Sequence, residues 1–145
     1  MLSGTAEYAL SAVVCLARQP NQAPVRASDL AASVNVPRNY LGKVLHDLVR
    51  AGILKSTRGK NGGFQLAVEP GDLTLLQIVS LFDQIGERRR CLLGRPECSE
   101  SDPCPVHHRW KECADQVQRF FTETTVADVL DGGTLEGGAT PMPCG

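Results

Sequence analysis

The sequence predicts a mainly α-helical fold with a small β-hairpin wing: a winged helix-turn-helix followed by a long C-terminal dimerisation helix. Three observations support this fold class. Apolar residues recur at helical spacing in three segments before residue 52, and the last two of these segments meet at a tight corner. A glycine-rich turn then joins two short segments that resemble strands. Finally, a second long helical stripe follows a cysteine-rich stretch near residue 100.

The length of 145 residues suits one compact domain, or a small domain with an appended element. We expect a winged helix-turn-helix domain over 1–84, a cysteine loop over 85–104, a dimerisation helix region over 105–130 and a flexible tail over 131–145. No stretch resembles a membrane span or a signal peptide, so we predict a cytoplasmic protein without a membrane partner. In that compartment, six cysteines favour metal or redox chemistry over structural disulfides.

The helix-turn-helix is predicted from the first 51 residues. A largely buried helix covers 5–18, and Ser28 can cap a short second helix. A tight corner at Asn35 precedes a third helix over 38–51, which has the clearest helical period in the sequence. Its apolar positions are Leu41, Val44, Leu45, Leu48 and Val49.

The opposite face of the third helix predicts contacts with double-stranded DNA. In a helix-turn-helix, the second helix enters the major groove with its N-terminal residues toward the base edges. The candidates for base or phosphate contacts at that end are Arg38, Asn39, Tyr40 and Lys43. Gly42 lies among them and can allow a close approach of the helix to the duplex.

A basic hairpin follows the helix-turn-helix. Two strands are predicted over 53–56 and 64–67, and the turn between them contains three glycines. Arg58 and Lys60 project from this turn, which lacks the spacing and the following helix of a nucleotide-binding loop. An arginine at the tip of such a wing suits a narrow, negative minor groove.

The charge is divided unevenly along the chain. Residues 1–68 carry eight Lys and Arg against three Asp and Glu, whereas residues 69–145 carry seven against thirteen. The net charges are therefore +5 and −6. A basic first half can be ordinary surface charge, or it can indicate a polyanionic partner for the predicted winged domain.

The C-terminal half is predicted to contain a helix over 73–84 and a longer amphipathic helix over 105–124. The apolar stripe of the longer helix is formed by Val106, Trp110, Cys113, Ala114, Val117, Phe120 and Phe121. A small winged domain would leave this stripe exposed, so a two-fold helix contact is expected to cover it in a homodimer. Pro105 suits the first helical position, which would place Cys104 at the N-cap. Cys15 and Cys113 are expected to be core cysteines.

The stretch between these two helices carries the donor atoms of a metal site. Cys91, Cys98, Cys104 and His107 supply three thiols and one imidazole, which suit zinc or an iron–sulfur cluster equally well by donor type. The six and five residues between successive cysteines exceed the spacing of structural zinc knuckles and favour a cluster. The preceding arginines, residues 88–90, are either a solvated charge run, charge compensation for an anionic centre, or a phosphate contact.

Together these segments resemble the IscR/NsrR family of bacterial winged-helix iron–sulfur transcription regulators. The resemblance spans about residues 2–130, and its most specific segment is the wing RGKNGGFQLA. The opening EYAL, the runs AGIL and LTLLQIVSLFD, and the three-cysteine loop before CPVHHRW follow in the family's order. The resemblance implies a homodimer that binds partly palindromic promoter DNA. The sequence offers no paired acid–base residues near the cysteines, and a small metalloenzyme or electron carrier would leave the winged half unexplained, so we predict that the protein is not an enzyme.

The resemblance also implies a cofactor, a 2Fe–2S or 4Fe–4S cluster held by Cys91, Cys98 and Cys104. In one branch of the family the fourth ligand would correspond to His107, and in the other to Glu7, contributed across the dimer. The implied function is regulation, with repression as the expected mode, in response to nitric oxide, redox state or iron status. The alternatives are a zinc-stapled repressor and a metal-free repressor that switches between thiols and a disulfide.

Overall fold

The protein is described by a computed structural model, which covers residues 2–85 and 91–132. The arginine run at 88–90 and most of the predicted tail lie outside the described residues. Within these ranges the elements are α1 (Gly4–Ala17), α2 (Ala27–Val34), α3 (Arg38–Arg50), β1 (Leu54–Thr57), β2 (Gly63–Leu66), α4 (Leu75–Val79), α5 (His107–Glu123) and α6 (Val126–Asp131). The predicted winged helix-turn-helix with a long C-terminal helix is confirmed.

The first three helices form the core of the winged domain. Most of the apolar face of α3 is enclosed, with Leu41, Leu45 and Leu48 at 0% exposure, whereas Val49 is partly exposed. α2 ends at Asn35, whose left-handed φ of 55° turns the chain sharply toward α3. Asparagine tolerates this conformation better than most residues, so the predicted corner has a local cause. The tight turn and the buried face together fix the direction of α3.

The wing is a two-stranded antiparallel hairpin that is fastened to the chain before α2. β1 and β2 pair in the register Leu54–Leu66, with Thr57 opposite Gly63 at the tip. Val25 adds an isolated bridge, since its backbone N–H donates to the Phe64 carbonyl at 2.9 Å and its carbonyl accepts from the Phe64 N–H at 2.8 Å. A Cβ at Gly63, where φ is +150°, would lie 2.5 Å from the Val25 backbone, so this approach requires glycine.

α4 is shorter than the predicted helix over 73–84. It begins with a capping box between Thr74 and Gln77 and ends at Val79. The hydrogen bonds that follow include ones that span three residues instead of four, such as the bond from the Phe82 N–H to the Val79 carbonyl at 3.0 Å. The Asp83 carboxylate accepts a hydrogen bond from the Ser3 backbone N–H at 2.8 Å. The chain therefore leaves the helix path where a long-range contact with the start of α1 holds it.

Two backbone hydrogen bonds join the chain before α4 to the chain after α5. The Leu75 N–H donates to the Thr124 carbonyl at 2.9 Å, and the Val126 N–H donates to the Leu73 carbonyl at 2.8 Å. We call this pairing, which is an isolated β-bridge between Thr74 and Thr125, the neck. The chain leaves the winged domain at the neck, forms the cysteine loop and α5, and then returns to the winged domain at the neck.

Several local expectations were wrong. Ser28 does not cap α2, because the N-cap is Arg26 and forms no side-chain capping bond. Cys104 is not the N-cap of α5: residues 104–107 form a turn, with the His107 N–H bonded to the Cys104 carbonyl at 2.9 Å, and Val106 becomes the N-cap. Cys15 is buried as expected, whereas Cys113 is exposed in the single chain.

α5 buries little of its apolar stripe within one chain. His107 and Phe121 are its buried residues, while Phe120 is 55% exposed. None of the described helices is long and apolar enough to cross a membrane.

Candidate functional site

The N-terminal half of α3 presents a polar, basic surface. Arg38, Asn39 and Lys43 are exposed and line an open groove of about 640 Å³. His46 and Phe64 also line it, so the groove runs between α3 and the wing. Gly42 lies in the same groove, and a Cβ at this position would meet no atom within 4 Å. The fold therefore brings three of the predicted DNA-contact residues onto one surface.

Tyr40 occupies a different position from the other predicted contacts on α3. Its ring packs edge-on against Tyr8, with centroids 5.8 Å apart, and its hydroxyl hydrogen-bonds to Thr5 Oγ1. The side chain is 41% exposed. In the single chain, Tyr40 thus joins α3 to α1 while part of its ring remains accessible.

The wing tip carries Arg58 and Lys60, both exposed. The Lys60 carbonyl accepts a hydrogen bond from Arg26 Nη2 at 2.9 Å. A second cleft of about 450 Å³ lies between the wing and the starts of α2 and α3, and Arg26, Ser28 and Arg38 line it. Sequence reasoning missed Arg26, although its position directly before the second helix of a basic domain was a usable signal.

Two of the loop cysteines are buried side by side. Cys91 and Cys104 are 7% and 8% exposed, and the Cys104 side chain lies close enough to influence the ionisation of the Cys91 thiol. The backbone N–H groups of Arg95 and Leu93 donate to the Cys91 sulfur and lower the pKa of its thiol, and the Cys104 side chain and the Arg95 charge act in the same direction. These donors favour the thiolate, the form that binds metals and reacts with oxidants.

The third cysteine contacts the histidine. Cys98 Sγ lies 3.2 Å from His107 Nδ1. The His107 ring is 2% exposed, and its Nε2 atom has no hydrogen-bond partner among the described residues. A buried imidazole nitrogen without a partner is costly, and a bound metal or a proton acceptor would remove that cost. His108, the next residue, is exposed.

The four predicted loop ligands form two adjacent pairs. Across residues 2–85 and 91–132, no group of three or more Cys, His, Asp or Glu side chains is arranged as a finished metal site. Binding at all four positions therefore requires the loop to move the two pairs together. Glu7, the other candidate ligand, is exposed on the first turn of α1.

Two ion pairs hold the loop. Arg95 Nη1 lies 3.3 Å from Asp102 Oδ2 and also donates to the Asp102 carbonyl. Lys111 on α5 pairs with Glu100. Because the carboxylates of both pairs are largely exposed, each pair contributes little to stability, but together they tie the loop to itself and to α5.

Comparisons with known proteins agree with this architecture. Residues 2–132 match the Rrf2 family, described as iron-dependent transcriptional regulators. An HTH-type transcriptional regulator of Aquifex aeolicus is 38% identical over 133 residues, covering 90% of this chain and 92% of that protein. The regulator IscR of Vibrio atlanticus is 25% identical and covers 93% of this chain and 78% of its own.

A solved structure shows the same fold. CymR of Bacillus subtilis, titled the global cysteine regulator, superimposes with a TM-score of 0.77 at 25% identity, covering 90% of this chain and 96% of CymR. The winged domain and the family match define a transcription regulator rather than an enzyme. The chain belongs to the Rrf2 family.

Proposed function

We propose that this chain is a homodimeric regulator, acting as a repressor on double-stranded promoter DNA in the cytoplasm. In this proposal an iron–sulfur cluster reports nitric oxide, redox state or iron status. The observation that carries the proposal is the contact between Cys98 and the buried His107, beside the buried pair Cys91 and Cys104. The family's description as iron-dependent supports it.

The donor set fits a cluster. Three thiols and one imidazole match the soft and intermediate ligands of iron–sulfur centres, and the lowered pKa of the Cys91 thiol favours the ligating thiolate. When bound, the cluster would supply a redox- and ligand-sensitive iron centre. The unpartnered Nε2 of His107 favours this histidine over Glu7 as the fourth ligand, since Glu7 is exposed and needs a partner subunit to reach the loop.

The coupling to DNA follows from the connections of the loop. Lys111 and Glu100 join the loop to α5, and α5 returns through the neck to α6, which packs against α1. A loop that moves when the cluster is assembled or lost would shift α5. In a dimer built on α5, this shift would change the relative positions of the two winged domains.

The first experiment is an anaerobic purification with an absorption spectrum and a count of iron and sulfide per chain. We expect a brown protein, loss of colour in His107→Ala, and retention of colour in the matched control His108→Ala. Retention in His107→Ala together with loss in Glu7→Ala would assign Glu7 instead. A colourless protein that takes up no iron after reconstitution would refute the cluster.

The second candidate is a metal-free thiol switch, favoured by the burial of both Cys91 and Cys104 and by the influence of the Cys104 side chain on the pKa of the Cys91 thiol. In this alternative an external disulfide or peroxide oxidises the two thiols to a disulfide bond, and DNA binding changes when that bond forms. The similarity to a protein titled a cysteine regulator is consistent with this alternative. The third candidate is a repressor whose cysteine loop is held by a structural zinc ion. Purified protein that contains zinc but neither iron nor sulfide would identify it.

A further inference from the structure

The cleft between the wing and the starts of α2 and α3 combines features that suit an anion. It is lined by two arginines, two hydroxyl side chains and glycine backbone: Arg26, Ser28, Arg38, Thr57, Gly59, Gly62 and Gly63, with Ala27. No carboxylate lines it among the described residues, and neither arginine forms an ion pair with a described carboxylate. Two guanidinium groups at one cleft repel each other unless an anion lies between them.

The position of the cleft identifies the anion. The start of α3 is the end of the helix that approaches base edges in the major groove, and the wing tip suits the adjacent minor groove. One sugar–phosphate strand always separates a major groove from the neighbouring minor groove. A cleft between these two elements therefore faces that strand.

We propose that this cleft is a binding site for a DNA backbone phosphate, in which Arg26 is the principal ligand and Arg38 and Ser28 assist. This inference rests on the DNA binding of the proposed function. Guanidinium groups suit phosphate because their planar N–H donors match its oxygens.

The contact between Arg26 and the wing gives the site its shape. Arg26 Nη2 donates to the Lys60 carbonyl, and this bond leaves other N–H groups of the same guanidinium for a phosphate. Gly63 lets the wing approach the chain beside Arg26, because a Cβ there would lie 2.5 Å from the Val25 backbone. Gly62 keeps the hairpin turn itself tight, because a Cβ there would lie 2.2 Å from the Thr57 carbonyl oxygen. The arginine is thus held beside the wing and oriented before DNA arrives.

A phosphate contact can be tested without the operator sequence, because it acts equally on every duplex. The probe is a short, fluorescein-labelled duplex of mixed sequence, titrated by anisotropy between about 50 and 200 mM salt. Arg26→Ala should weaken binding and lower the slope of log K against log salt by about 0.9, the value of one phosphate contact. Arg50→Ala, at the opposite end of α3, is the matched control and should leave the slope unchanged.

Two further variants separate a phosphate contact from a purely structural role. Arg26→Lys keeps the charge and should restore most of the slope. Arg26→Gln keeps an amide donor for the Lys60 carbonyl without the charge, so it should behave like Arg26→Ala. A slope that stays at the wild-type value in Arg26→Ala and Arg26→Gln, with thermal stability preserved, would overturn the site. If the wild-type protein binds no duplex at any salt, the proposed DNA binding itself fails.

Discussion

At the scale of single residues, the glycines in the region proposed to contact DNA are present for different physical reasons. Gly63 is required by the approach of the wing to the Val25 backbone and by its positive φ. Gly42 has no such requirement, because a Cβ there would meet open space inside a regular helix. A glycine inside a helix costs about 1 kcal/mol relative to alanine, so Gly42 is unfavourable for the isolated fold.

Gly42→Ala should therefore raise the free energy of unfolding by about 0.5–1 kcal/mol and weaken DNA binding, because the added methyl group lies in the groove along α3. Chemical denaturation and duplex titration measure the two effects. Gly63→Ala is the contrasting control, and it should lower stability. A Gly42→Ala protein that is both more stable and equally tight on DNA would show that the duplex does not approach this position.

The Cys91 thiol should lose its proton at a lower pH than an ordinary thiol does. The backbone N–H groups of Arg95 and Leu93 lower its pKa from 9.0, so the folded chain favours the thiolate. The stabilisation that this brings is present above the unfolded pKa and is lost as the pH falls through the lowered folded value.

The measurement is the pH profile of Cys91 alkylation in metal-free protein, read peptide by peptide by mass spectrometry. We expect the midpoint below that of the same cysteine in denaturant. Equal midpoints in the folded and denatured chain would contradict the hydrogen bonding described for this sulfur.

At the scale of elements, the wing is the most direct test of DNA recognition. Arg58 is exposed at the tip, and the hairpin is fixed by the bridge between Val25 and Phe64. Arg58→Ala should weaken specific binding by about 1–3 kcal/mol if this arginine reads the minor groove. Lys55→Ala, on the exposed part of β1, is the matched control. An unchanged ratio of specific to non-specific binding in Arg58→Ala would refute the role of the wing arginine.

The elements also show which parts of the fold are readable from sequence. α3 was predicted over 38–51 and observed as Arg38–Arg50, because its own amphipathic period determines it. α4 ends at Val79 instead of the predicted residue 84, and the chain beyond it is held by a hydrogen bond from the Ser3 N–H to the Asp83 carboxylate, which joins residues 80 positions apart. A local apolar pattern predicts the bounds of a helix well where the apolar residues of that pattern are the ones buried. It predicts them less well where the chain also contacts residues far away in the sequence.

The same distinction applies to the candidate sites. The sequence shows which donor atoms the cysteine loop offers. The position of the loop directly before α5 also predicts that these donors lie near the start of that helix. The bond between Arg26 and the Lys60 carbonyl joins residues 34 positions apart, and no local pattern encodes it. The pairing of Cys98 with His107, rather than with another cysteine, likewise depends on how the loop folds.

At the scale of the whole molecule, the exposed stripe of α5 predicts the assembly. Phe120 is 55% exposed beside the buried Phe121. Burying a phenylalanine against a partner contributes about 1.5–3 kcal/mol per side chain, so Phe120→Asp should shift a dimer toward monomers. Sedimentation velocity measures the shift, with Thr122→Asp as a control on a neighbouring exposed position. A Phe120→Asp protein that remains dimeric at the same concentration would place the interface elsewhere.

The neck has a further consequence for the chain that runs between its two paired segments. Its hydrogen bonds, from Leu75 to Thr124 and from Val126 to Leu73, bring together two points about fifty residues apart and close the intervening chain as a loop. The entropy cost of closing a loop grows only with the logarithm of its length, by about 0.6 kcal/mol for each doubling. One or two residues more between Cys91 and Cys98 therefore cost the folded state almost nothing. The stability of the winged domain therefore places almost no limit on the number of residues in that interval, and under the proposed function the size of the cluster would determine it.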